Sequence, residues 1–146
     1  MNKLKLGALI LLSFILLAGI VTTATGQTAG NVLVLNAEGP VSAVMVSYIE
    51  RGIAAAEAQN AAALVIQLDT PGGQTDLTRD IMRAIINSNV PVVVYVYPPG
   101  GFAASAGTFI TLAGHIAAMA PQTSIGAASP VDGQGGDIGE TMRAKI

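Results

Sequence analysis

Two stretches of this sequence decide its fold, ALVIQLDTPGG at residues 63–73 and VPVVVYVYPPGGFAASAG at residues 90–107. Each begins with a short apolar run, which predicts a buried strand, and each continues into consecutive glycines. Functional groups of α/β sheets collect at the carboxyl ends of the strands. If the two strands are neighbours, the two glycine-rich turns therefore share one edge of a sheet.

The surrounding sequence alternates strands with helices. NVLVLN at 31–36 predicts an earlier strand, and a later one is expected around 116–120. Apolar spacing of three and four residues predicts one helix that begins near Pro40 and a second over 76–87, and small residues predict a third over 102–114. This alternation predicts an α/β fold with a mostly parallel sheet and crossover connections.

Residues 1–29 are predicted to be a signal peptide or signal anchor and are excluded from the fold. Lys3 and Lys5 precede an apolar run over residues 6–21, and small residues follow. This run is shorter than the roughly 20 residues that span a bilayer, which favours a cleaved signal peptide over an anchor. The flanking lysines keep the N-terminus in the cytoplasm. We therefore expect an exported protein, with the domain at 31–146 on the extracytoplasmic side.

Composition excludes several functional classes. Hydrophobic residues make up 51% of the chain and charged residues 11%, which is enough apolar material for a core. The formal net charge is −2 without a basic cluster, so no nucleic-acid partner is expected. The sequence has no cysteine and one histidine, which excludes thiol chemistry and argues against a metal site. We expect no cofactor.

Ser105, in the second turn, is the candidate nucleophile. A serine at a helix start lies over free N–H groups, and its small neighbours leave room for a peptide. Gly72 and Gly73 allow backbone N–H groups to approach a ligand, so the N–H groups of Gly73 and Ala106 are candidate oxyanion donors. Taken singly, such glycines are more often a turn and such a serine more often a cap. Their occurrence after successive strands favours acyl transfer.

LDTPGG at 68–73, followed by PVVVYVYPPGGFAASAGTFITLAGHIAAMAPQTSIGAASPV at 91–131, resembles the protease domain of the NfeD-type membrane serine proteases. It is more distantly similar to signal peptide peptidase A and ClpP. The resemblance extends over 32–146 and implies a ClpP/crotonase-like spiral of β-β-α units, truncated at its C-terminus. It also implies an endopeptidase that cleaves hydrophobic segments of membrane-linked proteins, a stomatin-like membrane partner and a homo-oligomer.

The same resemblance implies a Ser–Lys dyad. Ser105 matches the nucleophile in A-S-A-G, and Gly73 and Ala106 match the positions whose amides form the oxyanion hole. Lys145, in TMRAKI, matches the lysine base and is the only lysine after Lys5. ClpP instead carries a histidine in the segment that aligns near 126–128, where this sequence has none.

Lys145 requires a particular environment, whereas His115 and Asp69 are interpreted as structural residues. Lys145 acts as a base only when neutral, which requires an apolar pocket, and Phe102 and Ile125 are expected to contribute to it. His115 follows the Ser105 helix and is interpreted as a structural or surface residue, because a base must reach its nucleophile. Asp69 ends its strand and is expected to cap the glycine turn that follows.

Two further functions stay open. One is a non-catalytic assembly or scaffold module of a membrane complex, because ClpP-like domains oligomerise and this sequence stops within the helix that carries Lys145. We expect a chain of this length to be weakly active or inactive, with an exposed loop over 129–140. The other is a crotonase-type acyl-CoA enzyme, which shares the spiral and the paired amides. Export argues against it, because CoA is a cytoplasmic cofactor.

Overall fold

The computed structural model describes residues 30–129. The predicted leader at 1–29 and the segment 130–146 with Lys145 lie outside the described residues. The elements follow in the order β1 (Val32–Glu38), α1 (Ala43–Ala58), β2 (Ala63–Asp69), α2 (Thr75–Ile86), β3 (Val92–Val96), β4 (Phe102–Ala104), α3 (Ala106–Ala113), β5 (Ile116–Met119) and β6 (Ser124–Gly126). Within residues 30–129, no helix is long and apolar enough to cross a membrane.

Four strands form a parallel sheet in the order β1-β2-β3-β5. Side chains alternate between the two faces of a strand, so residues in register form rows across the sheet. The rows that face the helices make up most of the strand contribution to the core. Ala37, Leu68 and Val96 form a fully buried row, and half-buried Leu35 lies in register with buried Ile66 and Val94. The predicted α/β fold with a parallel sheet is confirmed.

The opposite face of this sheet has an apolar row of its own. Val34, Val65, Val93 and Ile116 lie in register across the four strands. Val34 and Ile116, at its two ends, are each 56% exposed. Parallel sheets are usually covered on both faces. Among residues 30–129, the helices bury only one.

A second, two-stranded parallel sheet pairs β4 with β6. The chain therefore passes from β3 in the first sheet to β4 in the second and then into α3, and β5 and β6 repeat the step between sheets. β3, β4 and α3 thus form one β-β-α unit of the expected spiral, and β5 and β6 are the two strands of the next. The second sheet carries the turn on which Ser105 lies.

The predicted helix over 102–114 is wrong at its start. Residues 102–104 form β4, because Thr70 pairs with this segment: Thr70 N donates to Phe102 O at 2.8 Å and Ala104 N donates to Thr70 O at 3.0 Å. The helix begins only at Ala106. Backbone pairing with a distant strand end thus overrides the helical propensity of the alanines.

The first helix also begins later than predicted. Ser42 is the N-cap of α1, and its hydroxyl accepts from Met45 N at 3.4 Å. Pro40 lies before the helix, and Val41 forms an isolated parallel bridge with Gly73. The predicted helix over 76–87 agrees with α2 to within one residue at each end.

Candidate active site

The turn after β2 is held rigidly by backbone hydrogen bonds. Thr70 is fully buried, and its Oγ1 accepts from Gly72 N at 3.1 Å, which closes the turn. From the other side, Gly39 N donates to Asp69 O and Val41 N donates to Gly72 O, both at 2.9 Å. Buried backbone groups that are paired in this way leave the turn little freedom to move.

Close approach explains both glycines of this turn. A Cβ on Gly72 would lie 2.8 Å from the Ser105 Cβ, and a Cβ on Gly73 would lie 2.5 Å from Val41 O. Gly72 also has φ +108°, in the region that favours glycine. Because Gly72 packs directly on Ser105, the two glycine-rich turns meet at one edge of the sheet, as the sequence predicts.

Ser105 lies on a sharp turn between β4 and α3. Its φ and ψ are 50° and −113°, a backbone conformation that residues other than glycine rarely adopt. Such backbone strain costs on the order of 1–3 kcal/mol and persists only where the surroundings enforce it. Here Ser105 N donates to Gly126 O at 2.8 Å. A serine on a strained strand–turn–helix junction is also how α/β-hydrolases expose their nucleophile.

The Ser105 side chain does not act as a helix cap. It accepts no hydrogen bond from the first turn of α3, although Ser105 occupies the N-cap position. The first N–H groups of a helix have no partner within it, and Ala106 supplies the first of them. The commonest structural role for a serine at this position is therefore absent.

The Ser105 turn opens into a groove of about 350 Å³ between α2 and α3. One side of α2, at helical spacing, faces it with Thr75, Thr78, Arg79 and Met82. Met82 and Phe109 give apolar walls, whereas Arg79 gives a positive charge and pairs with exposed Asp76 at 3.3 Å. The remaining lining residues are Gly73, Ser105, Ala106, Ala128 and Ser129.

A smaller cavity of about 230 Å³ lies at the start of α1. It contains the hydroxyl of Ser42, which already caps that helix. A serine whose oxygen is engaged in this way is a poorer nucleophile candidate than Ser105. The groove between α2 and α3 is therefore the candidate active site.

The structure brings most of the predicted site residues together. Ser105, Gly73 and Ala106 line one groove, and Gly72 packs under Ser105. Lys145 lies outside the described residues, so its role stays a prediction. Within residues 30–129, no three His, Asp or Glu side chains are grouped as metal ligands.

His115 has a structural contact at the other end of the sheet. Its Nδ1 accepts from Val92 N at 3.1 Å, at the first residue of β3, whereas the Ser105 turn lies near the carboxyl end of that strand. Five residues of strand separate the two ends by about 13 Å. The structural interpretation of His115 is confirmed.

The predicted role of Asp69 is wrong. Its Oδ1 accepts from Phe102 N at 3.1 Å, so it anchors the start of β4, and the neighbouring Thr70 closes the glycine turn instead. Phe102 and Ile125 do not line one pocket together as predicted, because Ile125 is in register with Ala103 and not with Phe102. Adjacent residues of a strand face opposite ways, so Phe102 and Ile125 lie on opposite faces of the β4–β6 sheet.

Sequence reasoning missed two groups of residues here. Arg79 and Met82 line the groove, together with Thr75 and Thr78. The four residues follow the spacing i, i+3, i+4 and i+7, which in the sequence already identifies one face of a helix. Thr108 bonds to Gly126 of β6. No local pattern marks that contact, because it depends on where β6 returns to the Ser105 turn.

These features define the class of protein. A parallel sheet coupled to a second small sheet through β-β-α units, with a serine turn at the carboxyl edge, is the ClpP-like protease fold. ClpP1 from Listeria monocytogenes has the same fold, with a TM-score of 0.63 and 20% identity over 77% of this chain and 64% of its own.

Sequence comparison identifies the family. The NfeD1b N-terminal domain model matches residues 31–145, and the chain belongs to this family. It is 46% identical to the membrane-bound protease PH1510 of Pyrococcus horikoshii over 88% of this chain and 29% of that protein. It is 35% identical to the membrane protein NfeD1b of Bacillus subtilis, over 71% of this chain and 23% of that protein. The chain thus spans less than a third of either relative.

Solved structures of the 1510-N membrane-bound stomatin-specific protease resemble this fold more strongly than ClpP1 does. A serine-to-alanine mutant has a TM-score of 0.76 and 40% identity, over 80% of this chain and 58% of its own. A lysine-to-alanine mutant in complex with a substrate peptide gives the same score and identity, over 81% and 56%.

Proposed function

We propose that this chain is the N-terminal part of a membrane-associated serine endopeptidase that uses Ser105 as nucleophile and Lys145 as base. One observation carries the proposal. Ser105 is held in a strained strand–turn–helix junction, its side chain does not cap the helix, and it opens into a groove beside Gly73 and Ala106. Strain of this kind at a groove is characteristic of functional sites.

In the proposed reaction, the Ser105 Oγ attacks the carbonyl carbon of a peptide bond while Lys145 Nζ takes the hydroxyl proton. The carbonyl oxygen becomes an oxyanion, which the N–H groups of Gly73 and Ala106 stabilise. When the C–N bond breaks, Lys145 returns the proton to the leaving amine. Water then hydrolyses the acyl-serine ester by the same sequence of proton transfers, which restores Ser105.

The assignment of Lys145 draws its support from relatives. The 1510-N protease has been solved with a serine replaced by alanine and, separately, with a lysine replaced by alanine and a substrate peptide bound. Those two residues are 41 positions apart in that protease, and Ser105 and Lys145 are 40 apart in this chain. The two spacings therefore differ by one residue.

We propose apolar peptide segments as the substrate. Met82 and Phe109 give the groove two apolar walls beside Ser105, which suit a hydrophobic side chain. The 1510-N protease is described as stomatin-specific, so we propose a stomatin-like membrane protein as the substrate or partner here. Both relatives are membrane proteins by name, which agrees with an association with the membrane.

The proposed organisation follows from the sequence. We place a signal peptide or signal anchor at 1–29 and the incomplete protease domain at 31–146, on the extracytoplasmic side of the membrane. The relatives are more than three times the length of the matched region. The activity therefore belongs to the full-length protein.

A second function, assembly, is favoured by the apolar face of the sheet that no helix within residues 30–129 covers. Val34 and Ile116 are each more than half exposed at the ends of a row that includes Val65 and Val93. A face of this kind suits contact with a second copy of the protein. We therefore propose a homo-oligomer, in which assembly accompanies catalysis or, if catalysis fails the test below, replaces it.

The full-length protein in membranes provides the test, with an apolar peptide as substrate. Ser105→Ala and Lys145→Ala should each abolish cleavage, whereas Ser47→Ala, at an exposed site on α1, should leave it unchanged. Loss in Ser105→Ala alone would keep the nucleophile and reject Lys145 as the base. Cleavage that survives Ser105→Ala would reject the peptidase site and leave assembly as the function.

A further inference from the structure

Thr108 lies in the first turn of α3, on the side that faces the end of β6. Its Oγ1 donates to Gly126 O at 2.8 Å, with Ala103 O a further acceptor at 3.2 Å, and the same oxygen accepts from Gly126 N at 3.0 Å. One half-buried hydroxyl of a helix thus bonds both backbone groups of a single residue of β6. Contacts of this kind fix the position of a backbone segment more tightly than one bond does.

The Gly126 carbonyl has a second donor, the backbone N–H of Ser105, at 2.8 Å. Immediately after it, Ala127 has φ +53°, so the chain turns sharply away from β6 at this point. Gly126 is therefore the last residue of β6 that can support the Ser105 turn. Its carbonyl is held between that turn and Thr108.

We propose that Thr108 is a positioning residue for the Ser105 nucleophile, an inference that rests on the proposed peptidase function. Thr108 holds the Gly126 carbonyl where it accepts from Ser105 N, and that bond keeps Ser105 at φ 50° and ψ −113°. This backbone conformation directs the Ser105 side chain away from the helix and into the groove.

Removal of the hydroxyl has a specific consequence. Without the Thr108 hydroxyl, Gly126 N loses its acceptor and Gly126 O loses a donor. The carbonyl is then free to shift away from Ser105 N. A misplacement of a reacting group by about 1 Å can lower a rate by about 100-fold. The effect should fall on the chemical step, because Thr108 does not line the groove.

Thr111 is a matched control on the same helix. Its hydroxyl donates to Gly107 O at 2.7 Å, an ordinary bond to the carbonyl four residues earlier, and it has no contact with Gly126 or the Ser105 backbone among the described hydrogen bonds. Thr111 is also more deeply buried than Thr108. A purely structural role for a threonine in α3 would therefore appear at least as strongly at Thr111.

The experiment uses the full-length protein and measures kcat and KM for an apolar peptide, together with the rate at which a fluorophosphonate modifies Ser105. Thr108→Val should lower kcat and the modification rate by about 100-fold with KM changed by less than about twofold. Thr108→Ser, which keeps the hydroxyl, should recover most of the rate. Thr111→Val should stay within about twofold of wild type, since its hydroxyl contacts only its own helix.

If Thr108→Val does not fold, the pair Thr108→Ser and Thr108→Ala decides, because the two differ by the hydroxyl alone. Equal rates in that pair, or an equal loss in Thr111→Val, would overturn the positioning role. These failures differ from a failure of the proposed function, in which Ser105→Ala itself retains cleavage.

Discussion

The main sheet is built differently at the amino ends of its strands, here called the amino edge, and at their carboxyl ends, the carboxyl edge. At the amino edge, side chains accept hydrogen bonds from residues at and just before the start of β3. His115 Nδ1 accepts from Val92 N, and Glu57 Oε1 accepts from both Asn89 N and Asn89 Nδ2. At the carboxyl edge, the chain makes turns with positive φ at Gly72 and Ser105. The groove lies at this second edge.

The difference shows where the fold maintains strain. At the amino edge, these contacts satisfy two backbone donors and one side-chain amide, and neither Val92 nor Asn89 has a positive φ. At the carboxyl edge, Ser105 is strained because Thr70, Gly72 and Gly126 surround its turn and hold it. The surrounding structure stabilises a conformation that Ser105 would not adopt alone, and this presents its hydroxyl to the groove.

Among the variants that test this difference between the two edges, the largest effect is expected from Gly72→Ala at the carboxyl edge. The new Cβ would lie 2.8 Å from the Ser105 Cβ at a φ of +108°, so the Ser105 turn must move. Peptide cleavage should fall by at least about 100-fold, as for a misplaced nucleophile. Stability in urea should fall by about 2–3 kcal/mol, from the clash and from the left-handed conformation.

Gly100→Ala is the control for conformational strain. Gly100 has φ +84° but nothing within 4 Å of an added Cβ. The variant should lose about 1 kcal/mol of stability from φ alone and retain its cleavage activity. Wild-type activity in Gly72→Ala would contradict the claim that the two turns are packed together as a unit.

A smaller effect concerns the strain at Ser105 itself. Ser105→Gly and Ser105→Ala both remove the hydroxyl, but only glycine relieves the conformation at φ 50° and ψ −113°. Ser105→Gly should therefore be more stable than Ser105→Ala by about 1 kcal/mol in urea unfolding, after the greater chain entropy of unfolded glycine is allowed for. At an unstrained position the order would be reversed, and that result would show that Ser105 is not strained.

The smallest effect on activity is expected at the amino edge. His115→Ala removes the acceptor of Val92 N, so stability should fall by about 1 kcal/mol. Cleavage by the folded variant should stay within about twofold of wild type, because His115 is a strand length from the Ser105 turn. A tenfold loss of kcat in the folded protein would return His115 to consideration as a base.

The sequence predicts the main sheet because β2 and β3 are short apolar runs that end in glycines, and both signals are local. It does not predict β4, because residues 102–104 become a strand through pairing with β6 and with Thr70, both distant in sequence. The role of Asp69 is not predictable for the same reason, because its partner Phe102 lies 33 residues further along the chain.

The candidate site divides in the same way. Ser105, Gly73 and Ala106 are predictable from turn chemistry because each lies in a glycine-rich turn after a strand. Thr108 is not, since its partner Gly126 returns to the turn only in the folded protein. Lys145 rests on family resemblance, because no spacing rule connects a lysine to a serine 40 residues earlier.

The most direct test of Ser105 as the nucleophile is to locate the covalent adduct. Full-length active protein is treated with a fluorophosphonate until cleavage stops, and the modified peptide is identified by mass spectrometry. We predict one adduct on Ser105, formed more slowly when an apolar peptide substrate is present. An adduct on another residue, or complete inactivation with Ser105 unmodified, would contradict the assignment of Ser105 as the nucleophile.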